Sequence, residues 1–207
     1  MNADCKIIVF AKAPVAGFAK TRLARVIGDD AAAALASRML SETVAQAVAA
    51  RLGPVELCCA PDTSHPQFAV EAQRHGARVS LSRQGEGDLG ARMSRAFESA
   101  LLQHRHVLLI GTDAPDLQAP ALRDAAAALE HHGAVFAPAH DGGYVLVGLS
   151  RAIPDLFQGV AWSTAQVMAQ TRERLAHCHE SWFELPPFFD VDEAADLVHV
   201  PPTWIAT

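Results

Sequence analysis

Six short apolar runs, at residues 6–10, 54–60, 77–81, 107–110, 133–137 and 144–149, punctuate the chain, with Ala-rich helical stretches between most of them. The helical stretches cover residues 30–51, 66–75, 89–104, 120–132 and 164–176. The runs are apolar almost throughout instead of alternating, the pattern of strands buried on both faces. Such strands, separated by single helices, call for a parallel sheet with helices on each side. Asp141-Gly142-Gly143 marks a tight turn into the last run, which opens the way to one antiparallel strand. The expected fold is therefore α/β, a three-layer α/β/α sandwich with a mostly parallel sheet, formed by residues 1–207 as a single domain. Asp29 or Asp30 is the expected cap of the first helix, and Ser163 that of the last. Beyond Ser150 the pattern loosens, and Pro186-Pro187 and Pro201-Pro202 mark irregular chain.

Composition narrows the function classes. Half of the 207 residues are hydrophobic and 19% are charged, which excludes a largely disordered chain. The formal net charge of -6 speaks against a nucleic-acid binder, which needs a basic face. No apolar run approaches the length of a membrane span, and Asp4 and Lys6 interrupt any signal-like core, so the expected location is cytoplasmic. Cys5, Cys58, Cys59 and Cys178 form no CxxC pair, and Cys58-Cys59 read as reduced core residues. His177 and His179 flank Cys178 without a fourth partner, which is a weak zinc signature.

Against this acidic background, the first run leads into a cationic loop. Residues 7–23 read IIVFAKAPVAGFAKTRL, with Lys12, Lys20 and Arg22 disposed around Gly17. A glycine-bearing loop carrying three cations straight after a first strand suits an anion, above all phosphate. It is not a Walker A loop, because Ala19 precedes Lys20-Thr21. Gly85-Glu86-Gly87-Asp88-Leu89-Gly90 matches GxGxxG and supports an alternative, an NAD-binding oxidoreductase. Glu86 and Asp88, however, would bring two negative charges to a pyrophosphate. The run 107–110 delivers Asp113 just past a buried strand, where a carboxylate can hold a divalent cation. Phe189-Asp190-Val191-Asp192 adds alternating acids that project to one side when extended, with a capping role for Asp192 as the plainer reading. Cations after the first strand and carboxylates after a central one are what phosphoryl or nucleotidyl transfer requires. A non-catalytic nucleotide sensor would need the cations but not the acids.

These segments, FAKAPVAGFAKTRLA, GTDAPDL, DGGYVLVGL and DVDEAADL, together resemble the GT-A-like nucleotide-diphospho-sugar transferase superfamily. They resemble in particular a bacterial branch of uncharacterised proteins assigned as glycosyltransferases. The chain is also similar to the 2-phospho-L-lactate and molybdenum-cofactor guanylyltransferases. The resemblance implies a Mg²⁺-dependent transferase, with Mn²⁺ as the other candidate ion, acting on a nucleotide or nucleotide-sugar and a small-molecule acceptor. It implies nucleotide binding by Ala11, Lys12, Gly17, Lys20, Arg22, Gln84, Gly85, Asp88, Gly90, Thr112 and Asp113. Asp113 and Asp192 would ligate the metal, with Asp190 as the substitute ligand. Asp141, Gly142, Gly143 and Tyr144 would line the acceptor side, and Trp162, Ser163 and Thr164 would close over it. Lys20, Arg22, Asp113 and Asp141 would carry the chemistry. Thr112-Asp113-Ala114-Pro115 departs from the DxD of typical GT-A glycosyltransferases and is closer to the nucleotidyltransferases.

Overall fold

The computed structural model describes residues 4–205. Its frame is a seven-stranded sheet built from β1 (Cys5–Lys12), β2 (Val55–Ala60), β3 (Val79–Arg83), β4 (His106–Ile110), β5 (Ala134–Pro138), β6 (Tyr144–Leu149) and β7 (Trp182–Glu184). The order across the sheet is β3-β2-β1-β4-β6-β5-β7. β1 to β4 run parallel, β6 runs antiparallel to both β4 and β5, and β7 returns parallel to β5. The expected three-layer α/β/α sandwich, with its one antiparallel strand, is the observed architecture.

Six α-helices flank the sheet among the described residues: α1 (Thr21–Ile27), α2 (Asp29–Ala50), α3 (Pro66–His75), α4 (Leu89–Leu101), α5 (Ala119–Ala128) and α6 (Val167–His177). Successive strand residues point to opposite faces, so the central strands feed two cores. Ile7, Val9, Leu57, Leu108 and Ile110 meet Leu40 and Val44 of α2, Phe68 of α3 and Leu122 of α5. Ile8, Phe10, Val107, Leu109, Phe136 and Val147 meet Met93 and Phe97 of α4 and Met168 and Leu175 of α6. A third cluster joins Leu23 of α1 and Leu35 and Met39 of α2 to Val191 and Val200 of the late chain. No helix among the described residues is long and apolar enough to cross a membrane.

Local expectations fail at several places, three of them for a clear local reason. The third strand begins at Val79 because Gly76–Arg78 forms a 3₁₀ turn. Gly28, at φ +86°, takes the cap position of α2, and Asp29 and Asp30 lie inside its first turn, where they complement the helix dipole. Ser163 does not cap α6: it adopts φ +63°, and the helix opens at Val167 after Gln166.

Gly148 of β6 shows how closely the layers approach. A Cβ there would lie 2.6 Å from Leu108 Cδ2 and 2.6 Å from Val135 Cγ1, with Leu129 Cδ1 3.2 Å away. Any side chain would wedge β4 and β5 apart beneath the end of α5. Gly148→Val is expected to destabilise the protein by about 2–3 kcal/mol through overpacking, read as a lower urea midpoint at constant m-value. An unchanged midpoint would mean that the layers yield there without cost.

Candidate active site

In an open α/β sheet the ligand site lies beyond the carboxyl ends of the strands, where the winding reverses. Here that point falls between β1, whose crossover leads to β2 and β3, and β4, on its other side. The loop after β1 carries the cations, and the loop after β4 carries Asp113.

Lys20 is the centre of the arrangement. It is the residue before α1 and adopts the left-handed conformation, φ 49° and ψ 46°, which costs a non-glycine residue about 1 kcal/mol or more. Its ammonium donates to Val191 O at 2.6 Å and lies 2.5 Å from Asp113 Oδ1 and 3.1 Å from Asp192 Oδ1. The lysine side chain is 7% exposed, whereas the two aspartates are about half exposed. Burial alone would lower the ammonium's pKa. The charges of Asp113 and Asp192 and their hydrogen bonds outweigh it, so the net shift is upward and Lys20 stays charged.

Backbone packing sets the late carboxylates. Val191 is fully buried against Leu23, Leu35 and Met39, and its N–H donates to Asp113 O at 2.8 Å. With Val191 turned inward, Asp190 and Asp192 flank it. Capping of the following 3₁₀ turn (Ala194–His199) falls to Glu193 and Asp196, not to Asp192. Asp196 accepts from the backbone of Asp192 and Glu193, which leaves the Asp192 carboxylate to Lys20. Asp190 is pushed up to about 6, first by burial and then by the negative charges of Asp141, Asp192 and Asp113. The four acids thus share one electrostatic neighbourhood.

Among the described residues no cluster of three or more His, Cys, Asp or Glu side chains is arranged to hold a metal. A Mg²⁺ ion, however, commonly takes one or two carboxylates and completes its shell with water and substrate phosphates. Asp113 and Asp192, both within reach of one ammonium, form a donor pair of that kind.

The other expected residues lie around this centre. Lys12 is exposed at the end of β1, and Arg22 is exposed with Glu193 Oε1 at 3.4 Å. Gly17, at φ +79°, bends the loop between them. Buried Gln84 donates its amide to Ala11 O at 3.3 Å and Cys58 O at 3.1 Å, tying the loop after β3 to β1 and β2. Arg95 of α4 braces the same loop through the carbonyls of Gln84 and Glu86; nothing in its sequence context marks this role. Gly85 and Gly87 both have positive φ, but Asp88 caps α4 by accepting from Ala91 N at 2.8 Å. A carboxylate already sits where the dinucleotide reading would place pyrophosphate. Thr112 is half-buried beside Asp113.

On the opposite side, Asp141 Oδ1 accepts from Gly143 N at 2.8 Å and closes the turn into Tyr144. Gly142, at φ +92°, leaves room for the backbone of Ala165. Thr164 Oγ1 donates to Ala161 O at 2.7 Å, and Trp162 lies against Gly90. Asp141 shares the electrostatic environment of Asp190, so the Asp141 loop and the late acids are neighbours.

Cations after β1 and acids after β4, at the winding switch of this sheet, define a protein of the nucleotide-diphospho-sugar transferase fold. More particularly, the chain belongs to the bacterial family described as "uncharacterized protein conserved in bacteria" (DUF2064), whose profile matches residues 43–164. A solved structure from Desulfovibrio desulfuricans G20, provisionally assigned as a nucleotide-diphospho-sugar transferase, is 31% identical, with TM-score 0.87 over 97% of this chain and 87% of its own. A nucleotidyl transferase from Methanothermobacter thermautotrophicus shares the fold at 13% identity, with TM-score 0.64 over 97% of each chain. So does a mannosyltransferase from Pyrobaculum calidifontis, solved with GDP-Man and Mn²⁺, at 15% identity and TM-score 0.57 over 90% of this chain and 56% of its own. No curated protein sequence matches.

The raised pKa of Asp190 has a signed consequence. Well below the ordinary value of 3.8 the carboxyl is neutral in the folded and unfolded states alike, and it contributes nothing to pH dependence. Between about pH 4 and 6 the folded protein holds the proton more tightly, so stability falls as the pH rises. Asp190→Asn, measured with chelator present, is expected to be more stable than the parent at pH 7.5 by about 1 kcal/mol after allowance for solvent screening. The gain should shrink to a small fraction at pH 3.5; a gain of equal size at both pH values would refute the electrostatic origin.

Proposed function

We propose that this protein is a divalent-metal-dependent transferase that takes a nucleoside diphosphate sugar and passes the sugar to a small acceptor. The observation that carries this reading is the convergence of Lys20 with Asp113 and Asp192 at the winding switch. The 31% identical relative, with its provisional transferase assignment, supports it, and so does a distant fold neighbour holding GDP-Man and Mn²⁺. In this reading Lys12, Gly17, Lys20 and Arg22 face the phosphates. Ala11, Gln84, Gly85, Asp88, Gly90 and Thr112 surround the nucleoside. Asp113 and Asp192, with Asp190 beside them, would hold Mg²⁺ or Mn²⁺, which supplies charge neutralisation on the diphosphate leaving group. Lys20 is the adjustable member: with its ammonium already between the carboxylates, a small displacement moves positive charge from acid to phosphate. Asp141, Gly142, Gly143 and Tyr144 form the acceptor side, under Trp162, Ser163 and Thr164. Asp141 is the candidate base for an acceptor hydroxyl.

A second reading, nucleotidyl transfer from a nucleoside triphosphate to a phosphorylated acceptor, is favoured by one feature. The loop after β4 offers the single acid Asp113 in place of a DxD, with Asp192 completing the pair from the late chain. Both readings use the same phosphate and metal residues and differ in the bond that breaks.

Thermal shifts with nucleotide-sugars and nucleoside triphosphates, each with Mg²⁺ and with chelator, separate them. A ligand at a hundredfold excess over Kd stabilises by about 2.7 kcal/mol. Metal-dependent preference for a nucleotide-sugar is expected; preference for a triphosphate alone would select the second reading. Asp113→Asn should remove the metal-dependent part of the shift while moving the unliganded melting temperature by only a few degrees. Retention of the metal-dependent shift in that variant would take Asp113 out of the site.

A further inference from the structure

Three stacked rings stand beside the acids, and they come from three separate stretches of chain. The His140 imidazole lies on the Phe189 ring at 4.0 Å between centroids and 20° between planes. The His199 imidazole lies on the same ring at 3.7 Å and 12°. Two near-parallel rings so close to a third cannot share one of its faces, so Phe189 is sandwiched between the imidazoles. His140 sits in the loop between β5 and β6, immediately before Asp141. Phe189 immediately precedes Asp190, and His199 ends the 3₁₀ turn that follows Asp192 and Glu193.

The column is not an extension of a hydrophobic core. Phe189 is half-buried and belongs to none of the three clusters, and both histidines are exposed. What the column joins is the chain that carries the acids. The contact between Phe189 and His199 closes residues 189–199 into a loop, with Asp190, Val191 and Asp192 inside it. Val191 pins that loop by its burial and by its N–H, which donates to Asp113 O at 2.8 Å. The contact between Phe189 and His140 adds the Asp141 loop, whose backbone is paired with the late chain. His140 N donates to Phe188 O at 3.1 Å, and Phe188 N donates to Pro138 O at 2.8 Å. Asp141 is accordingly the charge that acts most strongly on Asp190. Stacked rings hold their partners by more than the area they bury, and closing a loop at its ends restricts everything within it.

We propose that Phe189, clamped between His140 and His199, is a positioning residue: the column sets where Asp190 and Asp192 stand relative to Asp113 and Asp141, and with it the affinity of the site for a divalent cation. The role rests on the metal-dependent transferase reading above, and the test keeps the two failures apart. The imidazoles act here as flat rings and not as ligands, so another aromatic ring should replace either of them. Groups that orient metal ligands from outside the coordination shell are worth about ten- to a hundredfold in metal affinity.

The experiment is a Mn²⁺ titration of the full-length protein with UDP, GDP, CDP or ADP present, followed by loss of the free-ion EPR signal. Phe189→Leu keeps an apolar side chain but loses both stacks, and should bind Mn²⁺ about tenfold more weakly than the parent. His140→Ala and His199→Ala should weaken it in the same direction; both positions are exposed, so these variants carry the test even if Phe189→Leu fails to fold. His140→Phe and His199→Phe should restore the parent's affinity. Diphosphate affinity measured with chelator should stay at the parent's value throughout, which a general loosening of the fold would not give. Parent-like Mn²⁺ affinity in Phe189→Leu, or in both alanine variants, refutes the positioning role and leaves the transferase reading standing. A parallel loss of metal and chelator-phase diphosphate binding would mark a structural role only, and failure of both phenylalanine variants to restore affinity would show that the ring nitrogens matter and not the stack; either overturns the role. If the parent takes up no Mn²⁺ with any of these diphosphates, the metal-dependent reading falls and the positioning role with it.

Discussion

The ammonium of Lys20 joins three separate parts of the chain at one point. It ties the loop after β1 to Asp113 after β4, and both to the backbone and side chain of the late segment at Val191 and Asp192. Without it, two carboxylates would face each other beside a third and a fourth, Asp190 and Asp141, in a half-buried setting. Pairing with Lys20 is therefore a condition for that geometry and not an addition to it. Removing one partner of such a group exposes the rest to repulsion, which is why these contacts stabilise more by what they prevent than by what they add. The strained backbone at Lys20 fits this account: a left-handed lysine persists because three oxygens hold its side chain in place.

The same contact explains the position of the late chain. The irregular segment after β7 has little secondary structure of its own, yet Val191 is fully buried. Its burial against α1 and α2 makes those helices part of the site, since they position the backbone that presents Asp190 and Asp192. A satellite core of Leu23, Leu35, Met39, Val191 and Val200 thus positions the two late acids at one remove.

Much of the fold was legible because continuous apolar runs and Ala-rich stretches are strong signals over their whole length. β1, β2, β4 and β6 fall where those runs lie. α1 was not legible: its seven residues directly precede α2, and only Gly28 separates them. Nor was β7, three residues between a short loop and Pro186-Pro187, which pairs only with β5. At the site, the residue types were legible, since cations and acids stand out at strand ends. Their partnerships were not. Lys20, facing phosphate in the sequence reading, turns toward Asp113 and Asp192 because the left-handed bend before α1 and the seat of Val191 aim it there. Both depend on tertiary packing across most of the chain. Arg95 acquires its bracing role only from the carbonyls of Gln84 and Glu86 that surround it.

The two sides of the site are built on opposite electrostatic principles. The β1 loop offers positive charge on exposed chain, with Lys12 and Arg22 at the solvent boundary and one buried ammonium behind them. The Asp141 side offers the negative charges of Asp141 and Asp190. A ligand spanning both sides would thus need one anionic end and one end without negative charge. A nucleoside diphosphate sugar has that polarity, and its diphosphate would compete with Asp113 and Asp192 for the charge of Lys20. Binding and rearrangement of the ion-pair centre are then a single event, because the ammonium cannot serve the carboxylates and the phosphates equally well.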